Sequence, residues 1–137
     1  MNQTTQLTEM TRAVPKVIDQ RMHAALDYTT AATLLAMGFK LRNQHRRASN
    51  FAFMNAATVL MASMLTDYPG GLVKRMSFQT HGMMDVMQAS MLALGPALMG
   101  FGKDREAQLF YAQAAMEAGV VAATDWESSS SSPASVA

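Results

Sequence analysis

Two histidines and two aspartates recur in one arrangement, as His23-x-x-x-Asp27 and His81-x-x-x-Asp85, 58 residues apart. Residues four apart share a helix face, so each His/Asp pair projects from one side of its helix. The same offset relates Thr66-Asp67-Tyr68 to Thr124-Asp125-Trp126, and Lys16 to Lys74. Six ionisable residues, His23, Asp27, Asp67, His81, Asp85 and Asp125, therefore occupy matched positions, and three kinds of chemistry suit them. The first is a polar clamp: each His pairs with an Asp, and Asp67 and Asp125 tie their loops through backbone amides. The second is a divalent metal, either one zinc or manganese on the two histidines plus aspartate, or a pair of ions of the carboxylate di-metal type. Those di-metal sites use Glu and a Glu-x-x-His spacing, whereas this chain offers the shorter Asp at i+4. The third is haem, with His23 and His81 as its two axial ligands. The balance favours the clamp, so no cofactor is expected, and a divalent metal or haem is the alternative.

Enzymatic chemistry has little else to draw on. Gly70-Gly71 is a turn rather than a phosphate loop, and no nucleophile motif accompanies the histidines. His45 falls in a basic turn and is expected at the surface. The expectation is a non-enzymatic structural or interaction protein. The rival is a redox or hydrolytic protein working through His23 and His81.

A constant offset over most of a chain is the mark of internal duplication, and it dictates the elements that must carry these residues. A helical pattern runs from Lys16 to about Leu41. A second helix fits Ala48–Leu65, which holds no charge, Gly or Pro, and Asp67-Tyr68-Pro69-Gly70-Gly71 stops it. A third spans Lys74–Phe101, with a kink expected at Gly95-Pro96. A fourth fits Ala107–Thr124. Gly38-Phe39 aligns with Gly100-Phe101 at an offset of 62, so the second copy holds about one more helical turn before that pair. No alternating, β-branched run suggests a strand. The fold class predicted is all-α: an antiparallel four-helix bundle of two tandem helical hairpins, 14–68 and 69–126. Residues 1–13 and the Ser-rich tail 127–137 are expected to be disordered. In an up-down-up-down bundle, the starts of the first and third helices and the ends of the second and fourth meet at one end, so all six residues should converge there.

Composition narrows the surroundings. Apolar residues are 50% of the 137 and charged residues only 15%, yet the mean hydropathy is just +0.03. The net charge of +1 argues against a nucleic-acid partner. With no cysteine, disulfides and thiolate-bound metals are excluded. The polar start of the chain does not resemble a secretory signal. The 14 methionines read as adaptable core filler. Residues 48–66 and 86–102 are free of charge and approach the roughly 20 residues that cross a bilayer. Glu117, midway along the fourth helix, would then be an intramembrane acid, a class that is functional by default. Lys and Arg number six at one end of the layout and five at the other, which gives no orientation.

His-Ala-Ala-Leu-Asp-Tyr (23–28), Leu-Thr-Asp-Tyr-Pro-Gly-Gly (65–71), Lys-Arg-Met-Ser-Phe-Gln-Thr-His-Gly-Met-Met-Asp (74–85), Gly-Pro-Ala-Leu-Met-Gly-Phe (95–101) and Thr-Asp-Trp (124–126) carry a resemblance. Together they resemble small bacterial membrane proteins built from tandem two-helix units, similar to the SPW-repeat membrane proteins. The chain itself has no Ser-Pro-Trp. The resemblance covers roughly residues 14–126 and implies a transmembrane four-helix layout in the bacterial inner membrane, with the lipid bilayer as main partner. It implies no activity. A cytoplasmic Ala- and Met-rich bundle is the alternative, and a homo-oligomer is compatible with either.

Overall fold

The computed structural model describes residues 2–128 of the chain. Five helices form among them: α1 (Gln3–Met10), α2 (Gln20–Leu41), α3 (Arg46–Leu65), α4 (Phe78–Leu98) and α5 (Ala107–Ala123). No β-strand forms among the described residues; two isolated parallel bridges, Ile18 to Thr124 and Met76 to Thr66, are the extended pairings. α2 packs along α3 and α4 along α5, giving two hairpins, and α3 and α1 both lie against α4.

Helix starts and stops follow from local chemistry. Asp19 caps α2 by accepting from the Met22 amide at 2.9 Å, and Ser77, 58 residues on, caps α4 by accepting from the Thr80 amide at 3.1 Å. Both long helices therefore begin four residues later than the apolar pattern suggests. The four preceding residues are spent on the approach, where the bridges form. α3 starts two residues earlier than predicted because His45 caps it, its Nδ1 accepting from the Ala48 amide at 3.1 Å. The expected kink at Gly95-Pro96 is instead an ending. Pro96 lies in the last turn of α4, and the amides of Met99 and Phe101 close back on the carbonyls of Gly95 and Pro96.

The N-terminal segment corrects the expectation of disorder over residues 1–13. Asn2 accepts from the Thr5 amide at 2.8 Å and caps α1, and Leu7, the helix's buried residue, seats beside Trp126 and Gly82. Lys16 fastens its far end, donating from Nζ to the carbonyls of Thr11 at 2.7 Å and Ala122 at 2.6 Å. Burial pulls the Lys16 amine below the ordinary lysine range. One apolar residue fixes α1, too small a signal to stand out in a polar stretch. Residues 129–137 of the Ser-rich tail lie outside the described residues.

Two apolar clusters bracket a polar layer. Leu34, Phe51, Leu92, Phe101 and Phe110 fill the end near the α2–α3 and α4–α5 turns. Leu7, Tyr68, Phe78, Val121 and Trp126 close the opposite end. Between them Gln88 donates to Asn55 Oδ1 at 2.7 Å, and Gln113 approaches Thr30 Oγ1 at 3.5 Å. Each of these contacts is the other displaced by 58 residues, and each joins one hairpin to the other.

Gly82 shows how the halves diverge. A methyl group there would lie 2.6 Å from the Trp126 ring and 2.9 Å from Leu7. In the other half the matched positions hold Ala24 and the smaller Tyr68. Gly82→Ala is therefore expected to destabilise the protein by about 1–3 kcal/mol through overpacking. Adding Trp126→Tyr should recover part of that loss in thermal unfolding. Equal melting of Gly82→Ala and the parent would contradict this packing.

Formal charge on the outward faces of α2–α5 is confined to the helix ends, at Arg21, Lys40, Arg46 and Arg47. Between Arg21 and Lys40 the ionisable residues of the His, Asp, Glu, Lys and Arg types are His23 and Asp27, both buried. Between Arg47 and Asp67 there are none. Between Arg75 and Lys103 they are His81, buried, and Asp85, half-buried; between Glu106 and Asp125 there is Glu117, buried. The outward positions hold Ala, Thr, Ser and large apolar residues such as Phe39, Met61, Met87, Leu94, Leu98 and Met116. Among the described residues α3 alone, Arg46–Leu65, is long and apolar enough to cross a membrane, with mean hydropathy 1.3 and half of that stretch buried.

Candidate metal centre

His23 and His81 each sit in the first turn or so of a capped helix, α2 and α4, and both are almost wholly buried at 0% and 1% exposure. Opposite them, α3 and α5 end at Thr66 and Thr124. Each threonine turns its hydroxyl back onto its own helix, donating to Ala62 O and Val120 O at 2.6 Å. With its hydrogen committed, each hydroxyl oxygen is left as an acceptor. His81 Nδ1 lies 2.8 Å from Thr66 Oγ1, and His23 Nδ1 lies 2.9 Å from Thr124 Oγ1. With the hydroxyls assigned in this way both imidazoles carry a proton on Nδ1, and both turn Nε2 inward. Fixing the outer nitrogen so that the inner one is presented is the way proteins orient a metal-binding histidine.

The inward nitrogens meet two carboxylates. His23 Nε2 is 2.9 Å from Asp85 Oδ2 and 3.4 Å from Asp27 Oδ1. His81 Nε2 is 3.0 Å from Asp27 Oδ2 and 3.2 Å from Asp85 Oδ1. Each carboxylate thus spans both rings, and the closest pairings cross between hairpins rather than following the i, i+4 relation. One donor atom from each of the four residues can be chosen so that all lie within 4.8 Å of one another. A tetrahedral zinc site with bonds of about 2.0–2.2 Å spaces its donors by roughly 3.4 Å, so small side-chain adjustments close this set around one ion. Two neutral imidazoles and two carboxylates also sum to the charge that a divalent cation neutralises.

His81 Nε2 is buried and lies against Asp27 and Asp85 at 3.0 and 3.2 Å without a well-directed hydrogen bond to either. An ion placed among the same oxygens would give that nitrogen a directed partner. Tyr68 completes the shell by donating from its hydroxyl to Asp27 Oδ2 at 2.7 Å. Burial, and then the facing Asp27 carboxylate, push that phenol well above the ordinary tyrosine range, so it remains a donor. Trp126 at the matched position donates to Val121 O at 3.1 Å, which leaves Asp85 without such a partner.

Two of the six residues expected to converge do not. Asp67 is exposed and lies 3.6 Å from Lys74 Nζ; Asp125 Oδ1 accepts from the Glu127 amide at 3.1 Å. The reason is the extended backbone that follows each helix, in which neighbouring side chains point to opposite sides. Thr66 and Tyr68 turn inward and Asp67 outward, and Thr124 and Trp126 turn inward beside an outward Asp125. The inward residues, two threonines, a tyrosine and a tryptophan, are what the motif contributes to the site. Without Asp67 and Asp125 the donors suffice for one ion rather than a di-metal pair. Haem fits no better, because Asp27 and Asp85 fill the space between the two imidazoles that a porphyrin would need. His45, expected in solvent, instead caps α3 and places Nε2 2.9 Å from Asp104.

Glu117 is brought close to the site. It is 9% exposed and lines a cavity of ≈ 20 Å³ together with Asp27, Thr30 and Asp85. Comparison with known protein families, with curated proteins and with solved structures finds no match to this chain.

Proposed function

We propose that this chain is a small four-helix membrane protein, made of two duplicated hairpins, whose His23, Asp27, His81 and Asp85 hold one divalent transition-metal ion inside one end of the bundle. The observation that carries the metal centre is the pair of threonines that commit both Nδ1 atoms and aim both Nε2 atoms at two carboxylates. A ring that needed only an ion pair would gain from hydrogen-bonding at either nitrogen. Here His81 Nε2 lies 3.0 Å from Asp27 and 3.2 Å from Asp85 without a well-directed hydrogen bond to either.

Membrane embedding is supported by outward faces that carry no charge between the helix ends. α2 to α5 hold 22, 20, 21 and 17 residues. At 1.5 Å per residue they run about 26–33 Å, close to the roughly 30 Å hydrocarbon core of a bilayer. A water-exposed helix normally carries charge on its outer face. In these four, the charges gather at the ends and the interior acids and histidines face one another, which is how membrane proteins place ionisable groups. Abundant Ala, Gly, Ser and Thr suit close helix contacts in lipid. The resemblance to SPW-repeat membrane proteins points the same way.

Two measurements test this. After carbonate extraction of expressing cells the protein should stay with the membrane pellet, and recovery in the soluble fraction would overturn the membrane assignment. In detergent, zinc at 100 times its dissociation constant should stabilise the fold by about 2.7 kcal/mol. A melting temperature indifferent to zinc would count against the metal.

A second reading has one observation in its favour. His23 Nε2 and Asp85 Oδ2 make a good hydrogen bond at 2.9 Å, as an imidazolium–carboxylate clamp would. The clamp predicts no metal dependence of stability, which the same titration resolves.

A further inference from the structure

We infer that the metal centre is open on one side and carries a water molecule held between the ion and the Glu117 carboxylate. This rests on the metal assignment above. The cavity beside the two carboxylate donors has a volume of ≈ 20 Å³ and is bordered by Asp27, Asp85, Thr30, Glu117 and Val59. That volume accommodates one water, and the carboxylates and the threonine hydroxyl give it the polar partners that a buried water requires.

Glu117 is the residue that the rest of the fold does not explain. It is more than nine-tenths buried and has no cationic neighbour in an ion pair among the described residues. Its hydrogen bond is a long one, 3.4 Å from Gln113 Nε2. Its counterpart under the 58-residue offset is Val59, which borders the same cavity. The packing there is therefore met by an apolar side chain in one half, and the acid in the other half is an addition. A buried acid is costly without a partner. A water bound to a divalent ion is a strong hydrogen-bond donor and supplies that partner. His81 Nε2, which makes no well-directed hydrogen bond, faces Asp27 and Asp85 in the same group. An ion with three or four protein donors and one water is the arrangement of sites that exchange or activate small ligands, whereas purely structural ions are closed by protein donors.

The test uses the full chain loaded with manganese(II) in detergent made up in D2O, with deuterium modulation of the manganese spin echo as readout. The parent should show the modulation of an inner-sphere water. Glu117→Val, which copies the counterpart residue, should bind manganese and lose that modulation, and Glu117→Gln, which can still accept a hydrogen bond, should retain it. Manganese bound by the parent without inner-sphere water would overturn the inference and leave the metal centre standing. Undiminished modulation in Glu117→Val would also overturn it. A parent that binds no manganese or zinc would remove the metal assignment, and the water with it.

Discussion

Alanine in place of His81 is expected to abolish tight zinc binding, lowering affinity by more than about 100-fold. That floor comes from outer-shell substitutions, which already cost 10–100-fold, whereas His81 is a direct donor. The loss should exceed what missing packing explains. Asp27 and Asp85 each span both rings, so removing one imidazole leaves two buried carboxylates facing a single histidine. Breaking a buried charge pair in this way costs about 3–5 kcal/mol. The variant should therefore melt lower than the parent even without metal, and zinc should no longer raise its melting temperature. Calorimetric titration alongside thermal unfolding separates the two effects. A zinc isotherm matching the parent's would show that the imidazole is not a donor.

Thr66→Val and Thr124→Val are expected to be nearly as severe, and matched. Valine keeps the shape of threonine, so packing is preserved while the acceptor oxygen is lost. The Nδ1–H of His81 or His23 is then buried without a partner, at a cost of about 1–3 kcal/mol. The imidazole also loses the contact that fixes its tautomer, so the proton can move to Nε2, the nitrogen that faces the carboxylates. Metal affinity should fall 10–100-fold in each variant. The two effects should be of similar size because the geometry is the same, 2.8 Å in one half and 2.9 Å in the other. Full zinc affinity in either valine variant would contradict the role given to these hydroxyls.

The helices and their order were legible because their signals are local: Pro69-Gly70-Gly71 as a break, and long runs without charge. The caps Asp19 and Ser77, which set where α2 and α4 begin, were not read from the sequence. The 58-residue offset by itself singles out His23, Asp27, His81 and Asp85. Which histidine meets which aspartate was not legible. The i, i+4 rule pairs residues within one helix, while the shorter contacts, His23 to Asp85 and His81 to Asp27, join different hairpins and arise only from packing. Asp67 and Asp125 were drawn into the cluster because they are charged. A two-residue alternation in the extended backbone after each helix would have sent them outward and selected Thr66, Tyr68, Thr124 and Trp126 instead. Glu117 stood out in the sequence as a mid-helix acid, but its place on a cavity shared with Asp27 and Asp85 depends on how the helices pack, which no spacing encodes. α1 was missed because its attachment depends on Leu7 reaching a gap created by Gly82, a contact 75 residues distant in the chain.

The central claim is that four residues from α2 and α4 hold one divalent ion. Elemental analysis of protein made without a histidine tag and purified in detergent addresses it most directly. The prediction is about one zinc, manganese or similar divalent ion per chain, falling to background in the His23→Ala/His81→Ala variant. Substoichiometric metal in the parent, at the same level in the double variant and not increased by dialysis against zinc, would contradict it.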